Sequence, residues 1–230
     1  MLAWIWRRAS RAARRRLPSS GWRRAPAESE ESEAHAANAY APWRRATRRG
    51  RHGGAASRYV RALTAARDIH ISEAALADLS GLHSLTSVVH LRLGQASQLH
   101  DLRGLASLRE VSILSLHENP ALTSLDGLEK VTEIGWLDLS YNFALSSVAG
   151  LRNVTHIQSS LYLDYNPALT ALAFTNLRSI NGPLWIRSLS VLRSLSGLDA
   201  LSSVTGPIDF YDNTNLPQAE IQAFLARLGH

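Results

Sequence analysis

The chain has 230 residues, no cysteine, one methionine and a single lysine, Lys130. Without thiols there are no disulfides and no thiolate metal ligands, and redox compartment leaves no trace in the sequence. Nowhere do 18 apolar residues run together, so no helix able to span a bilayer is expected. The opening MLAWIW places only six apolar residues before Arg7. That is short of the roughly 7–15 of a secretory core, with the charge on the wrong side, so no standard signal peptide is expected. The motifs H-E-x-x-H, G-x-S-x-G and C-x-x-C are missing, and Lys130 lies in no phosphate loop. N-x-[ST] occurs once, at Asn153-Val154-Thr155, which chance explains. Abundant arginine beside one lysine is the usage skew of a GC-rich bacterial genome.

Charge is present but unevenly placed. Residues 1–67 hold 16 arginines against four glutamates, a net of +12, while residues 68–230 carry a net of −6. The overall +6 is the average of two unlike segments. Residues 1–56 are rich in Arg, Ala, Ser, Pro and Gly, with few residues to build a core, so a disordered arm dispensable for folding is expected. Three other readings stay open. Arg7, Arg8, Arg11, Arg14, Arg15 and Arg16, interleaved with Trp4, Trp6 and Leu17, suit a basic amphipathic helix making weak contact with an anionic membrane surface. The same charges suit nucleic-acid phosphates, although nothing base-reading accompanies them, so nucleic acid is not the favoured partner. An Arg-rich, Ser-containing start also fits an organelle transit peptide.

What dominates the remainder is a repeat. The pattern L-x-L-x-x-N-x-x-L-x-x-L-x-G-L-x-x-[LV]-x-x-[VI] recurs seven times, starting at Ile69, Leu91, Leu114, Leu137, Leu161, Leu184 and Ile208, at intervals of 22 to 24 residues. Such a period predicts a solenoid, in which each turn buries its apolar edge only by stacking on its neighbours. The expected fold class is α/β: a right-handed leucine-rich-repeat solenoid of about seven turns with a parallel sheet on one face. The L-x-L pair alternates with period two and predicts one short strand per copy. Asn119, Asn142, Asn166 and Asn213 share one place in the repeat and are expected inward, bonded to backbone of adjacent turns. Gly81, Gly104, Gly127, Gly150 and Gly197 recur one residue before a leucine, where a bend with positive φ is expected. The fifth copy has Ala173-Phe174 at that place, and a local irregularity is expected there. Tyr59, Val60, Leu63 and Ala66 fall at helical spacing, predicting a capping helix over 57–67. Ile221, Phe224, Leu225 and Leu228 predict a second cap over 217–228.

The runs NPALTSLDGL and NPALTAL, the rises INGPLWI and VTGPIDF and the close NTNLPQAEIQAFLARL resemble bacterial leucine-rich proteins related to the receptor L domain, over about residues 68 to 230. The resemblance implies an extracellular or envelope-associated module that binds protein or glycan.

Outward strand positions stack into three columns. The middle one reads His70, Arg92, Ser115, Asp138, Tyr162, Trp185 and Asp209; the one before it His90, Ile113, Trp136, Ser160, Pro183 and Pro207; the one after it Ser72, Gly94, His117, Ser140, Asp164, Arg187 and Tyr211. Trp136, Tyr162, Trp185 and Tyr211, ringed by Asp138, Asp164, Asp209 and Arg187, are the candidate ligand-binding residues, since large aromatics with arginine make binding hot spots. The competing reading is that they only cover the sheet, with Asp164 and Arg187 as a cross-strand ion pair. Asp138 with Asp164 as a glycosidase pair is set aside, because nothing in the sequence suggests a raised pKa or a deep cleft. The expected function is non-catalytic recognition of a protein, in preference to a glycan, by a monomer without cofactor or metal. A structural spacer and an enzyme with an unrecognised site are the alternatives.

Overall fold

The computed structural model describes residues 63–72 and 75–230. The basic arm over 1–56 and most of the helix expected over 57–67 lie outside them.

The described residues form a parallel β-solenoid of about six turns. Its strands are β1 (Ala65–Ser72), β2 (Ser87–Gly94), β3 (Glu110–Ser115), β4 (Glu133–Asp138), β5 (His156–Ile157), β6 (Leu161–Tyr162), β7 (Ser179–Ile180), β8 (Leu184–Trp185), β9 (Ser203–Val204) and β10 (Ile208–Asp209). Seven copies bound six closed turns, because the last copy runs into the helix α1 (Gln218–Leu228) instead of returning to the sheet. Among the described residues α1 is the single α-helix. Each turn's return path uses at most a three-residue 3₁₀ turn, as at Arg103–Leu105 and Ala149–Leu151. The expected α/β class therefore becomes a β-solenoid with one short helix: some 23 residues cannot hold a strand, two bends and a multi-turn helix as well.

Register places like on like. Ile69, Leu91, Leu114 and Leu137 pair in sequence, followed by Leu161, Leu184 and Ile208, so the first leucine of every copy stacks inward. A second inward column runs Ala66, Val88, Val111, Ile134, Ile157, Ile180 and Val204. Ala66 thus occupies the final [VI] place of an incomplete turn. Ala65, Ala66 and Arg67 are strand where a helix was expected, because pairing with Ser87 and Val88 satisfies their backbone.

After β4 the sheet forks. Ile134 and Leu137 are separated by two residues, but Ile157 and Leu161 by three, Gln158-Ser159-Ser160. β4 therefore pairs through Glu133–Ile134 with β5 and through Leu137–Asp138 with β6, and the two ribbons continue side by side to β9 and β10. The extra residue recurs as Asn181-Gly182-Pro183 and Thr205-Gly206-Pro207, a stacked bulge in which proline donates no ladder bond.

The asparagines are fully buried at 119, 142 and 166. Oδ1 of Asn142 accepts from Asn119 N–H at 3.0 Å, and Oδ1 of Asn166 from Asn142 N–H at 3.1 Å. Their amides donate to Leu93, Leu139 and Leu163 carbonyls, tying each turn to the next. Asn213 repeats the arrangement against Leu189 N–H and the Ile186 carbonyl.

The glycines have a different reason from the one expected. Of the five, only Gly127 has positive φ, at 111°. A Cβ on Gly104, Gly150 or Gly197 would land on the carbonyl of Leu79, Leu125 or Leu172 one turn earlier. They are there for close approach between turns. Positive φ falls instead, at 55° to 63°, on Gln95, Glu118, Tyr141, Tyr165, Ser188 and Asp212, just before the asparagine position of each turn. At the Ala173-Phe174 substitution no 3₁₀ turn forms, and Phe174 fills the space with a fully buried ring.

α1 closes the last turn. Phe224 is buried and meets Phe210 edge-on at 5.4 Å. Arg227 donates to the carbonyls of Asp199, Leu201 and Leu198 at 2.7 to 3.0 Å, satisfying acceptors that stacking would otherwise cover.

Candidate functional site

Alternation along β4, β6, β8 and β10 turns Asp138, Tyr162, Trp185 and Asp209 outward, each between two inward apolar residues. Parallel register then brings the outward residues into line, with Asp138 opposite Tyr162, Tyr162 opposite Trp185 and Trp185 opposite Asp209. The aromatic ones touch. Trp136 meets Tyr162 edge-on at 5.9 Å, and Tyr162 meets Trp185 at 4.4 Å with a 37° tilt. Arg187 extends the row, its Cζ 3.9 Å from the Trp185 centroid. All three rings are half-buried against one another.

The ion pair of the competing, sheet-covering reading is redirected. Arg187 Nη2 donates to Asp209 Oδ2 at 2.6 Å, not to Asp164. The reason is register: Asp209 stands opposite Trp185, so an arginine laid over Trp185 meets it. Asp164 Oδ1 is shut off from solvent and accepts no hydrogen bond among the described residues, and Arg187 Nε is likewise unpartnered. Burial pushes the Asp164 carboxyl up to about 6; Arg187 opposes the shift, and Asp138 and Asp209 add to it. Nothing in the sequence pointed to this raised carboxyl, because burial between turns is what raises it. Asp138 and Asp209 are committed locally: Asp138 Oδ1 accepts from the Ser140 amide at 2.9 Å and hydroxyl at 2.6 Å, and Asp209 Oδ1 from Tyr211 N–H at 2.9 Å.

Beside the aromatic row lies an open depression of about 450 Å³, lined by Tyr141, Asp164, Tyr165, Arg187, Ser188, Asp209 and Tyr211. Four of the expected residues therefore meet here, while Trp136, Tyr162 and Trp185 form the adjoining row. Sequence reasoning missed Tyr141 and Tyr165. They follow the period-two segment, and their left-handed backbone, at φ 63° and 56°, swings them back to the sheet face. Their rings stack at 4.6 Å with an 11° interplanar angle, each about two-fifths exposed. The signal available was S-Y-N followed 24 residues later by D-Y-N. Tyr211 is 71% exposed and Phe143, nearby in sequence to Tyr141, 53%.

No group of three or more metal-ligating side chains occurs among the described residues. No family model, no curated protein and no solved structure matches the chain.

Proposed function

We propose that this chain is a leucine-rich-repeat recognition module of the receptor L type that binds a protein, in preference to a glycan, through the outward face of its parallel sheet. One observation carries the reading: the row Trp136–Tyr162–Trp185–Arg187 opens onto a depression rimmed by three further tyrosines, so six aromatic rings meet solvent on one side of the sheet. A spacer has no use for that, since exposed contiguous aromatics invite aggregation, whereas tryptophan, tyrosine and arginine dominate binding energy at interfaces. Parallel stacking supplies the rigidity, because Trp136, Tyr162 and Trp185 each stand on a strand bonded on both sides.

The raised Asp164 carboxyl is the observation that favours a hydrolytic alternative, because a proton held near neutral pH suits a general acid. Against it, Asp138 is engaged by Ser140 and the depression is open to water. Affinity capture from the native cell with the full chain as bait tests the recognition reading. A specific partner lost with Trp185→Ala supports it; full-strength capture by a folded Trp185→Ala variant counts against this face. Turnover of a glycoside or ester panel, abolished by Asp164→Asn, would establish an enzyme instead.

A further inference from the structure

The depression carries an unbalanced charge. Asp164 and Asp209 line it and Asp138 acts on Asp164 from the neighbouring turn, whereas the cation on its wall, Arg187, is already bound to Asp209 and laid over Trp185. Asp164 has no hydrogen-bonded or ion-paired partner at Oδ1 among the described residues. Around it stand Tyr141, Tyr165 and Tyr211, whose ring faces carry negative quadrupole. The solenoid itself is acidic, with a net of −6 over residues 68–230. Aromatic faces around an uncompensated carboxylate attract a cation by both routes at once.

We propose that the depression between Tyr141, Tyr165 and Tyr211 is a socket for a basic side chain, arginine or lysine, presented by a protein ligand lying along the aromatic row. This inference rests on the reading of the sheet face as a protein-binding surface. A volume of about 450 Å³ accommodates one such side chain with accompanying water. A guanidinium can slot beside the stacked Tyr141–Tyr165 pair and set its positive charge against the Asp164 carboxylate from the open side of the depression, Oδ1 itself being closed to solvent. Binding then favours the ionised carboxylate, so affinity rises with pH through about 6, under the opposing influence of Arg187 and the reinforcing influence of Asp138 and Asp209.

The test titrates the full-length, isotope-labelled protein with N-acetyl-arginine amide and with N-acetyl-citrulline amide, which keeps the shape but not the charge. The arginine compound should shift the amide resonances of Tyr141, Asp164, Tyr165 and Arg187 saturably, and bind about tenfold more tightly than the citrulline compound. Lowering the pH from about 7.5 to about 5 should weaken the arginine compound alone, and Asp164→Asn should erase the preference. Equal binding of the two compounds, or no saturable shift from either, overturns the socket even if the variant fails to fold. The wider reading fails separately. Loss of the captured partner in Trp185→Ala with no arginine preference removes only the socket. Arginine preference with undiminished capture by Trp185→Ala removes only the interface.

Discussion

Arg187 holds its guanidinium 3.9 Å from the centre of the Trp185 ring while donating to Asp209 across the strand at 2.6 Å. One side chain thus joins the aromatic row to the wall of the depression. The ring beneath it also meets Tyr162, 4.4 Å away on the neighbouring strand β6. Trp185→Ala removes both contacts and should cost about 1–2 kcal/mol of stability, an aromatic pair and a cation–π contact being worth about that together. Leu184→Ala, one residue away and fully buried, should cost about 2–5 kcal/mol through its cavity. Denaturant melts of the pair measure both; a costlier change at Trp185 than at Leu184 would invert the assignment of inside and outside.

Asn142 is held between two turns, accepting from Asn119 N–H and donating to the Leu139 carbonyl. Asn142→Leu leaves both groups buried without that partner and should cost about 1–3 kcal/mol. Hydrogen exchange should quicken at Asn119 N–H in particular; unchanged protection there would disprove the ladder.

Two glycines separate space from backbone angle. Gly150→Ala drives a methyl onto the Leu125 carbonyl and should cost more than about 3 kcal/mol, because two turns must part. Gly229, at φ 77°, has open space around its missing Cβ, so Gly229→Ala should cost only the left-handed penalty of about 1–2 kcal/mol. Thermal melts that rank the two the other way would refute the close-approach account.

Asp164 gives stability a pH dependence of definite sign. Its carboxyl releases its proton at about 6 in the folded chain, against about 3.9 in an unfolded one. Between those values the folded state holds a proton that the unfolded state has released. Stability from this group is therefore full below about 4, falls as pH rises through the window, and stays lowered above about 6. Asp164→Asn removes the charge that burial penalises, so the variant should melt higher than the parent at pH above about 6, with a shallower slope below. Parallel melting curves across the range would show that Asp164 is solvated.

The repeat was legible from leucines alone because a solenoid uses one environment many times over. A leucine that must be buried at Leu114 must be buried at Leu137, Leu161 and Leu184, and alternation then places Asp138, Tyr162 and Trp185 outside. The ladder of Asn119, Asn142 and Asn166 followed from the same periodicity, a buried amide being tolerable only where backbone groups need it. Other features depended on contacts between turns, which no local pattern encodes. Gly104 and Gly150 looked like bends and proved to be points of contact, because the carbonyls of Leu79 and Leu125 are 25 residues back in the chain yet adjacent in the stack. Ala66 looked helical beside Leu63 until pairing with Val88 drew it into β1. The direction of Arg187 toward Asp209, the left-handed turn that returns Tyr141 and Tyr165 to the sheet face, and the burial that lifts the Asp164 carboxyl were decided by tertiary structure. Each depends on what the next turn presents a few ångströms away: a carboxylate to lean on, a ring to stack against, or a wall that excludes water.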